Sequence, residues 1–244
     1  MISIRHVTRR FGALTALDDI SLEVPDNTRL CIAGGSGSGK SLLIRTLLGL
    51  EPLEQGKIEI DGMTVGPSSH DTWPQLMEQV GMVFQGSALF DALTVRENVG
   101  IRLYEQASAS SGAVESQVLE ALAQVNLGPE ILDRYPDMLS GGMRKRVAIA
   151  RAIIHRPRYL ICDEPTAGLD PVNARIVSTL IGQLAAQPGR TTLIVTHDME
   201  VIRSLASQVC MIYEGKLIYH GSPEGFFSSG HPVIQAFTGR VTPA

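Results

Sequence analysis

Residues 34–41 read Gly34-Gly35-Ser36-Gly37-Ser38-Gly39-Lys40-Ser41, which matches the pattern G-x-x-x-x-G-K-[ST]. Residues 29–33 before it, which are apolar after Arg29, predict a strand, and residues 41–50 after it predict a helix. Glycines let such a loop curl, so that its N–H groups and the positive end of the helix bind an anion. The pattern therefore predicts a phosphate cradle in which Lys40 reaches the β- and γ-phosphates and Ser41 ligates Mg²⁺. The alternative, a flexible glycine-serine turn, does not explain a lysine and a hydroxyl at these positions.

Two acids follow a second apolar stretch. Residues 159–162 predict a buried strand, which ends in Asp163-Glu164 before Pro165 turns the chain away. In a phosphate-cradle fold the first acid at such a strand end holds the metal, so we assign this role to Asp163. Adjacent strand residues point in opposite directions, so Glu164 needs another role, and we expect it to activate or position the attacking water. Alone, the pair is a weak signal, because two acids before a helix more often cap it.

A second glycine-bearing helix start lies at Leu139-Ser140-Gly141-Gly142-Met143. Ser140 is a good N-cap candidate, but consecutive glycines weaken a helix by up to about 1 kcal/mol each relative to alanine. This cost suggests that the backbone of Gly141 and Gly142 is exposed to bind phosphate. The chain then carries two phosphate sites that lie far apart in sequence.

Composition limits the function classes. The chain has 244 residues, a net charge of −4 and three dispersed cysteines, which favours a globular protein with buried, reduced thiols. The basic runs Arg9-Arg10 and Arg144-Lys145-Arg146 are short, so we interpret them as solvated faces and expect no nucleic-acid binding. The N-terminus lacks the apolar core of a signal peptide, and no stretch reaches the ~18–20 apolar residues of a spanning helix. If the protein works at a membrane, another chain has to cross it.

Strand and helix patterns alternate along the chain. The strands are predicted at residues 2–7, 22–24, 29–33, 56–60, 80–84, 159–162, 192–195, 209–213 and 216–219, and the helices at 41–50, 95–124, 140–155 and 171–187. A loop is expected at residues 107–112, and Glu51-Pro52 is expected to end the first helix. We predict an α/β P-loop NTPase (RecA-like) core with an antiparallel β subdomain. A helical subdomain over about 93–151 is inserted, and residues 1–244 form one domain.

Over nearly its whole length the chain resembles the ATP-binding-cassette (ABC) family. In that family the LSGG signature, Ser140-Gly141-Gly142 here, caps the γ-phosphate that the cradle of a second subunit holds. The resemblance implies that Phe11 stacks on adenine and that Gln85 contacts metal and water and senses a membrane partner. It also implies that Gly168-Leu169-Asp170 is the D-loop and that His197 contacts the γ-phosphate. Taken singly, Phe11 is equally consistent with a core residue, and a histidine at a strand end is more often structural.

Within this family the chain most resembles the Mla/Mce-associated lipid-transport ATPases. The resemblance rests on residues 84–99, on LSGGM followed by Arg144-Lys145-Arg146, and on residues 231–239. It implies ATP and Mg²⁺ as ligands, a homodimer, an integral-membrane permease and a Mce-type substrate-binding protein. It also implies a cytoplasmic location on the inner face of the cell membrane. Met143 departs from the glutamine usual in this family, and a thioether cannot donate a hydrogen bond.

Three other readings compete with lipid transport. An importer of amino acids or another small solute would carry the same motifs. Non-transport cassette ATPases typically have two cassettes or a long coiled coil between motifs, and neither pattern is present here. A simple P-loop kinase would need an acceptor site and would not explain the LSGGM helix.

Overall fold

The computed structural model describes residues 1–65, 73–105 and 111–240. The chain forms two compact units, of which the first comprises Met1–Met77 with Thr191–Ala244 and the second Glu78–Arg190. The prediction that the chain is one domain, with a helical insertion over about 93–151, stays a prediction.

An antiparallel sheet occupies the first part of the first unit. Its strands are β1 (Ile2–Phe11), β2 (Leu14–Val24), β4 (Gln55–Ile60) and β5 (Met63–Val65), in the order β2-β1-β4-β5. The predicted strands at 2–7 and 22–24 were too short, because both strands carry polar residues and bulges that break the apolar alternation. His6 and Asp19 have positive φ at these irregularities. The predicted Asp61-Gly62 hairpin turn is confirmed, since Ile60 pairs with Met63.

Four further strands of the first unit pair with one another, and one of them leads into the phosphate loop. They are β3 (Arg29–Ala33), β8 (Thr191–Val195), β9 (Gln208–Tyr213) and β10 (Lys216–Gly221). Strand β3 pairs in parallel with β8 and β9, and its buried residues account for the continuous apolar pattern. The predicted β9–β10 hairpin is confirmed, with both turn residues Glu214 and Gly215 at positive φ.

Helix α1 (Lys40–Leu47) begins directly after the phosphate loop. It ends earlier than predicted, because Gly49 adopts φ 68° and not because of Glu51-Pro52. Gly49 N donates to Thr46 O at 3.0 Å and Leu50 N donates to Arg45 O at 2.9 Å. This pair of bonds is a Schellman cap.

The remaining helices of this part of the chain are short. They are α2 (Trp73–Glu78), α7 (Met199–Leu205), α8 (Pro223–Ser228) and α9 (Pro232–Phe237). Phe226 joins α8 to the neighbouring elements, since its ring lies 5.3 Å from Tyr219 and 6.4 Å from Phe237 between centroids. Edge-to-face rings at these separations are favourable.

The second unit contains the helices predicted between residues 95 and 187. They are α3 (Val95–Glu105), α4 (Ser111–Gln124), α5 (Gly141–Ile153) and α6 (Pro171–Ala185), with the parallel strands β6 (Val80–Val83) and β7 (Tyr159–Asp163). Helices α3, α4 and α5 pack on one another. Most of the loop predicted at 107–112 lies outside the described residues, and its last two residues belong to α4. In the described part of the chain, no helix combines the length and apolar character needed to cross a bilayer.

All three cysteines are buried and form no disulfide, as predicted. Burial raises the pKa of Cys31 to about 12 and raises the pKa of Cys210 as well. A thiol whose pKa is raised in this way stays protonated and unreactive near neutral pH. These cysteines therefore belong to the core.

Candidate functional site

The phosphate loop has a backbone that only glycine adopts readily. Gly34, Gly37 and Gly39 have φ of 151°, 74° and 108°. A methyl group added at Gly34 would lie 2.6 Å from Ser38 Oγ, and one added at Gly39 would lie 2.8 Å from Ala16 O. The glycines therefore set the curvature of the loop and let neighbouring backbone approach it closely.

Lys40 covers the loop with its ammonium group. Its Nζ donates to Gly34 O at 2.8 Å and to Gly35 O at 2.7 Å, and the residue is buried. Ser38 Oγ is buried without a hydrogen-bond partner at the same loop. A positive charge, an available hydroxyl and curled glycine backbone are the groups that a polyphosphate needs, so the loop fits the ligand that its sequence predicts.

The β9–β10 turn is hydrogen-bonded to this loop, a contact that the sequence did not predict. Gly215 N donates to Ser38 O at 3.2 Å, and Asp18 N donates to Gly215 O at 2.9 Å. A methyl group at Gly215 would lie 3.0 Å from Ala16 O. The Glu214-Gly215 signal predicts a turn, but nothing in it identifies the phosphate loop as its neighbour.

Phe11 and His197 are the other predicted site residues of the first unit. Phe11 lies at the tip of the β1–β2 hairpin and is 47% exposed, so the alternative of a core residue is wrong. The guanidinium of Arg9 lies 4.7 Å from the centroid of its ring. His197 is exposed just after β8, before Asp198 caps α7. Their contacts with adenine and γ-phosphate stay predictions.

The carboxylate pair of the second unit straddles the end of a strand. Asp163 is the last residue of β7, and Glu164 follows it with φ 45°. Glu164 O accepts from Ala167 N at 3.2 Å, which starts the turn. The two residues thus differ in backbone conformation. A left-handed non-glycine residue costs about 1–3 kcal/mol and is common at functional sites.

The signature helix begins as predicted, but one of its two glycines is required by packing and not by phosphate binding. Ser140 caps α5 by accepting from Met143 N at 3.2 Å, and Gly141 is exposed. Gly142, in contrast, is buried, and a methyl group there would collide with the side chain of Asn173. Packing therefore explains Gly142, whereas exposed backbone fits only Gly141.

Asp170 orients the side chain that packs on Gly142. Its Oδ1 accepts from Val172 N and Asn173 N at 3.1 Å, which caps α6, and its Oδ2 accepts from Asn173 Nδ2 at 2.6 Å. These bonds lower the pKa of Asp170, led by the one from the Asn173 side chain. The predicted D-loop and the signature thus meet through Asn173.

Gln85 follows β6 in an exposed segment that cations of α5 hold. Lys145 Nζ donates to Gln85 O at 2.6 Å and to Phe84 O at 3.2 Å. The prediction that Lys145 lies on a solvated face is wrong, because the residue is 2% exposed. Its spacing from Ala148, Ile149 and Ala152, three, four and seven residues on, could have placed it on the buried face.

The predicted metal ligands all supply oxygen. They are the hydroxyl of Ser41, the amide oxygen of Gln85 and the carboxylate of Asp163. Oxygen ligands, with substrate phosphates and water completing the shell, suit Mg²⁺. In the described segments no three His, Cys, Asp or Glu residues form a metal cluster.

A strand, a glycine loop closed by lysine and a following helix define a P-loop nucleotide-binding protein. Residues 17–167 match the family model described as ABC transporter, which includes the loop, Gln85, the signature and the carboxylate pair. The chain belongs to the ABC transporter family.

Curated relatives agree with this family over nearly the whole chain. The methionine import ATP-binding protein MetN 1 of Acinetobacter baylyi is 38% identical over 96% of this chain and 67% of its own length. The protein TRIGALACTOSYLDIACYLGLYCEROL 3 of Arabidopsis thaliana is 35% identical over 97% of this chain and 73% of its own.

A solved structure supports the fold and the activity. The dimeric bacterial ABC transporter cassette MJ0796 superposes with a TM-score of 0.85 and 28% identity, over 91% of this chain and 99% of its own. The same cassette has a dimeric post-hydrolysis structure with ADP and Pi. The predicted fold class is confirmed, and the chain is an ATP-binding ABC ATPase.

Proposed function

We propose that this chain is the ATPase subunit of an ABC transporter that moves phospholipid or another hydrophobic substrate. It works as a homodimer on an integral-membrane permease, at the inner face of the cell membrane. A Mce-type protein supplies the substrate. The observation that carries the ATPase half of the proposal is Lys40, whose ammonium lies over a loop that three left-handed glycines curl.

Each site residue then has one task. The loop and Lys40 bind the β- and γ-phosphates, while Phe11 stacks on the adenine. Glu164 orients the attacking water and accepts its proton, and His197 contacts the γ-phosphate. Ser41, Asp163 and Gln85 hold Mg²⁺, which when bound neutralises the charge that develops on the phosphates.

The dimer follows from the signature. Gly141 is exposed at the N-terminus of the 13-residue helix α5, where backbone N–H groups and the helix dipole favour an anion. The dimeric state of the MJ0796 cassette supports a pair in which each signature faces the loop of the other subunit. Closure around two ATP molecules would then act on the permease through the surface near Gln85.

Replacing Lys40 with alanine tests the ATPase assignment. We expect at least tenfold weaker ATP binding and loss of turnover, since charged hydrogen bonds of this kind contribute about 1.5–3 kcal/mol. The control is Lys57→Ala, because Lys57 is an exposed lysine paired with Glu59. Unchanged ATP affinity in the Lys40 variant would count against the cradle.

The transported substrate needs a separate experiment. Residues 84–99 and the LSGGM signature favour lipid, and one relative bears the name of a galactolipid. The identity to a methionine import protein favours the second candidate, a small-solute importer. Purification of the chain with its permease from membranes, followed by mass spectrometry of bound proteins and lipids, separates the two. A solute-binding protein without enriched lipid would refute lipid transport.

A further inference from the structure

Two cations of helix α5 hold the segment that carries Gln85. Lys145 Nζ donates to the carbonyl oxygens of Phe84 and Gln85 at 3.2 and 2.6 Å. Six residues further along the helix, Arg151 donates to Ser87 O at 2.9 Å and to Ala88 O at 2.7 Å. Four carbonyls around Gln85 are thus bound by one helix, the same helix whose first turn is the signature.

The backbone of the segment is shaped for these contacts. Ser87 and Ala88 have φ of 63° and 48°, a region that costs free energy for residues other than glycine. Asn98 of α3, which is fully buried, holds the far end by donating to Phe90 O, Leu93 O and Thr94 O. The segment therefore has a defined shape although many of its side chains are exposed.

Lys145 is a costly residue for stability alone. It is 2% exposed, and burial lowers its pKa, while the nearby Cys162 and Asp163 raise it. A buried charge pays a desolvation penalty, and apolar residues of similar volume often stabilise a fold better. A role in positioning explains the charge, because a neutral apolar side chain could not bind two carbonyls at once.

We propose that Lys145 is a positioning residue for Gln85, which fixes the Gln85 peptide to the signature helix so that the Gln85 side chain meets the metal and water. The inference rests on the proposed function, since Gln85 has this task only in an ATP-hydrolysing site. It also implies that a movement of the segment near the permease is passed to the signature through Lys145.

The test is a double-mutant cycle on steady-state ATP hydrolysis. Lys145→Met keeps an unbranched side chain that is one atom shorter and removes the donor. We expect a kcat lower by about 10- to 100-fold with the KM for ATP within about threefold, because a misplaced catalytic group costs rate and the phosphate loop is unchanged. In the Gln85→Ala background, Lys145→Met should lower kcat by less than about twofold, because the side chain that Lys145 positions is absent there.

Arg146→Met is the matched control. Arg146 is the next residue of the same helix and donates to Asn126 O at 2.8 Å, in a different loop. Its effect on kcat should be the same with and without Gln85. Lys145→Arg should recover most of the lost rate, because a guanidinium also donates to two carbonyls.

Two results overturn the inference. A Lys145→Met effect of equal size in both backgrounds means that the lysine stabilises the fold without acting through Gln85. A normal kcat in Lys145→Met, with the thermal midpoint measured beside it, removes the role altogether. Absence of ATP hydrolysis by the wild-type chain, in contrast, refutes the proposed function itself.

Discussion

Glu164 has a left-handed backbone conformation, which costs free energy for a residue other than glycine. With φ 45° it sits just beyond the last residue of β7, while Asp163 keeps the extended backbone of the strand. The left-handed geometry turns the chain between two neighbouring acids, so that one carboxylate can hold a metal while the other meets water. A strained residue next to a predicted metal ligand is the arrangement expected of a catalytic base.

Glu164→Gln should therefore separate binding from chemistry. An amide keeps the shape of the side chain but cannot accept a proton, so turnover should fall by about 10²–10⁴-fold with ATP affinity retained. ATP should also hold the variant in a closed dimer, which sedimentation would detect. Glu130→Gln, at an exposed position of the second unit, should behave like the wild type. Near-normal turnover in the Glu164 variant would remove Glu164 from its role.

Gly142→Ala tests whether packing fixes the second glycine of the signature. The added methyl group meets Asn173, whose orientation Asp170 holds, so unfolding free energy should fall by about 1–3 kcal/mol. Urea denaturation measures this change. Asn173→Ala in the same chain should restore part of the loss, whereas Gly141→Ala, whose methyl group would approach Leu169 only to 3.8 Å, should cost less than about 1 kcal/mol. Equal losses at both glycines would contradict the packing explanation.

His155, just after helix α5, makes the stability of the second unit depend on pH. Burial, followed by the positive charge of Arg102, lowers its pKa from 6.5 to about 4, with a smaller contribution from Arg190. Its Nε2 lies 3.1 Å from both Arg102 Nη1 and Val80 O, and its Nδ1 is buried without a partner. Because the guanidinium only donates, the imidazole that suits this site is neutral.

Stability should therefore fall as the pH drops from about 6.5 to 4. In that window the unfolded chain binds a proton at His155 and the folded chain does not, so acid favours unfolding. His155 is only partly buried, so we expect a loss of about 1–2 kcal/mol relative to His155→Gln, less than the full pKa shift implies. Urea denaturation of both proteins at pH 7 and pH 4.5 measures the difference, and carboxylate titrations cancel between them. Parallel pH profiles would refute the assignment.

Elements with a strong local cause could be predicted from the sequence. The strand-loop-helix around Lys40 and the cap at Ser140 follow from spacing and residue type, and both are confirmed. The long hairpin of β1 and β2 was only partly predicted, because bulges at His6 and Asp19 shift the alternation that a strand prediction uses.

Contacts between residues far apart in the chain could not be predicted from the sequence. Lys145 reaches carbonyls 60 and 61 residues away, and Gly215 reaches Ser38 from the other end of the chain. Such pairs depend on tertiary packing, which neither propensity nor spacing encodes. The site was therefore predicted as a set of motifs, while the residues that hold the motifs in place were found only in the structure.

At the scale of the whole molecule, the signature is part of an ATP site only if two subunits form a head-to-tail dimer. If each site combines the loop of one subunit with the signature of the other, two different defects can complement each other. Lys40→Ala disables the loop. Gly141→Glu changes an exposed position, where an added methyl group would come no closer than 3.8 Å to Leu169. It places a negative charge where phosphate would bind, and an acid in the first helical turn suits the helix dipole.

Each variant alone should be inactive, and an equal mixture should recover activity. Random association gives about half heterodimers, and each heterodimer has one site with an intact loop and an intact signature, so about a quarter of the wild-type rate should return. ATPase assays after co-incubation with ATP measure this recovery. A chain that carries both changes, mixed with wild type, is the converse control: each site of a head-to-tail heterodimer then has one defect, so heterodimers should be inactive and subunit exchange should lower the activity of the wild-type chains. If the signature served the loop of its own chain, the two single variants would stay inactive in every mixture, and the head-to-tail dimer would be excluded.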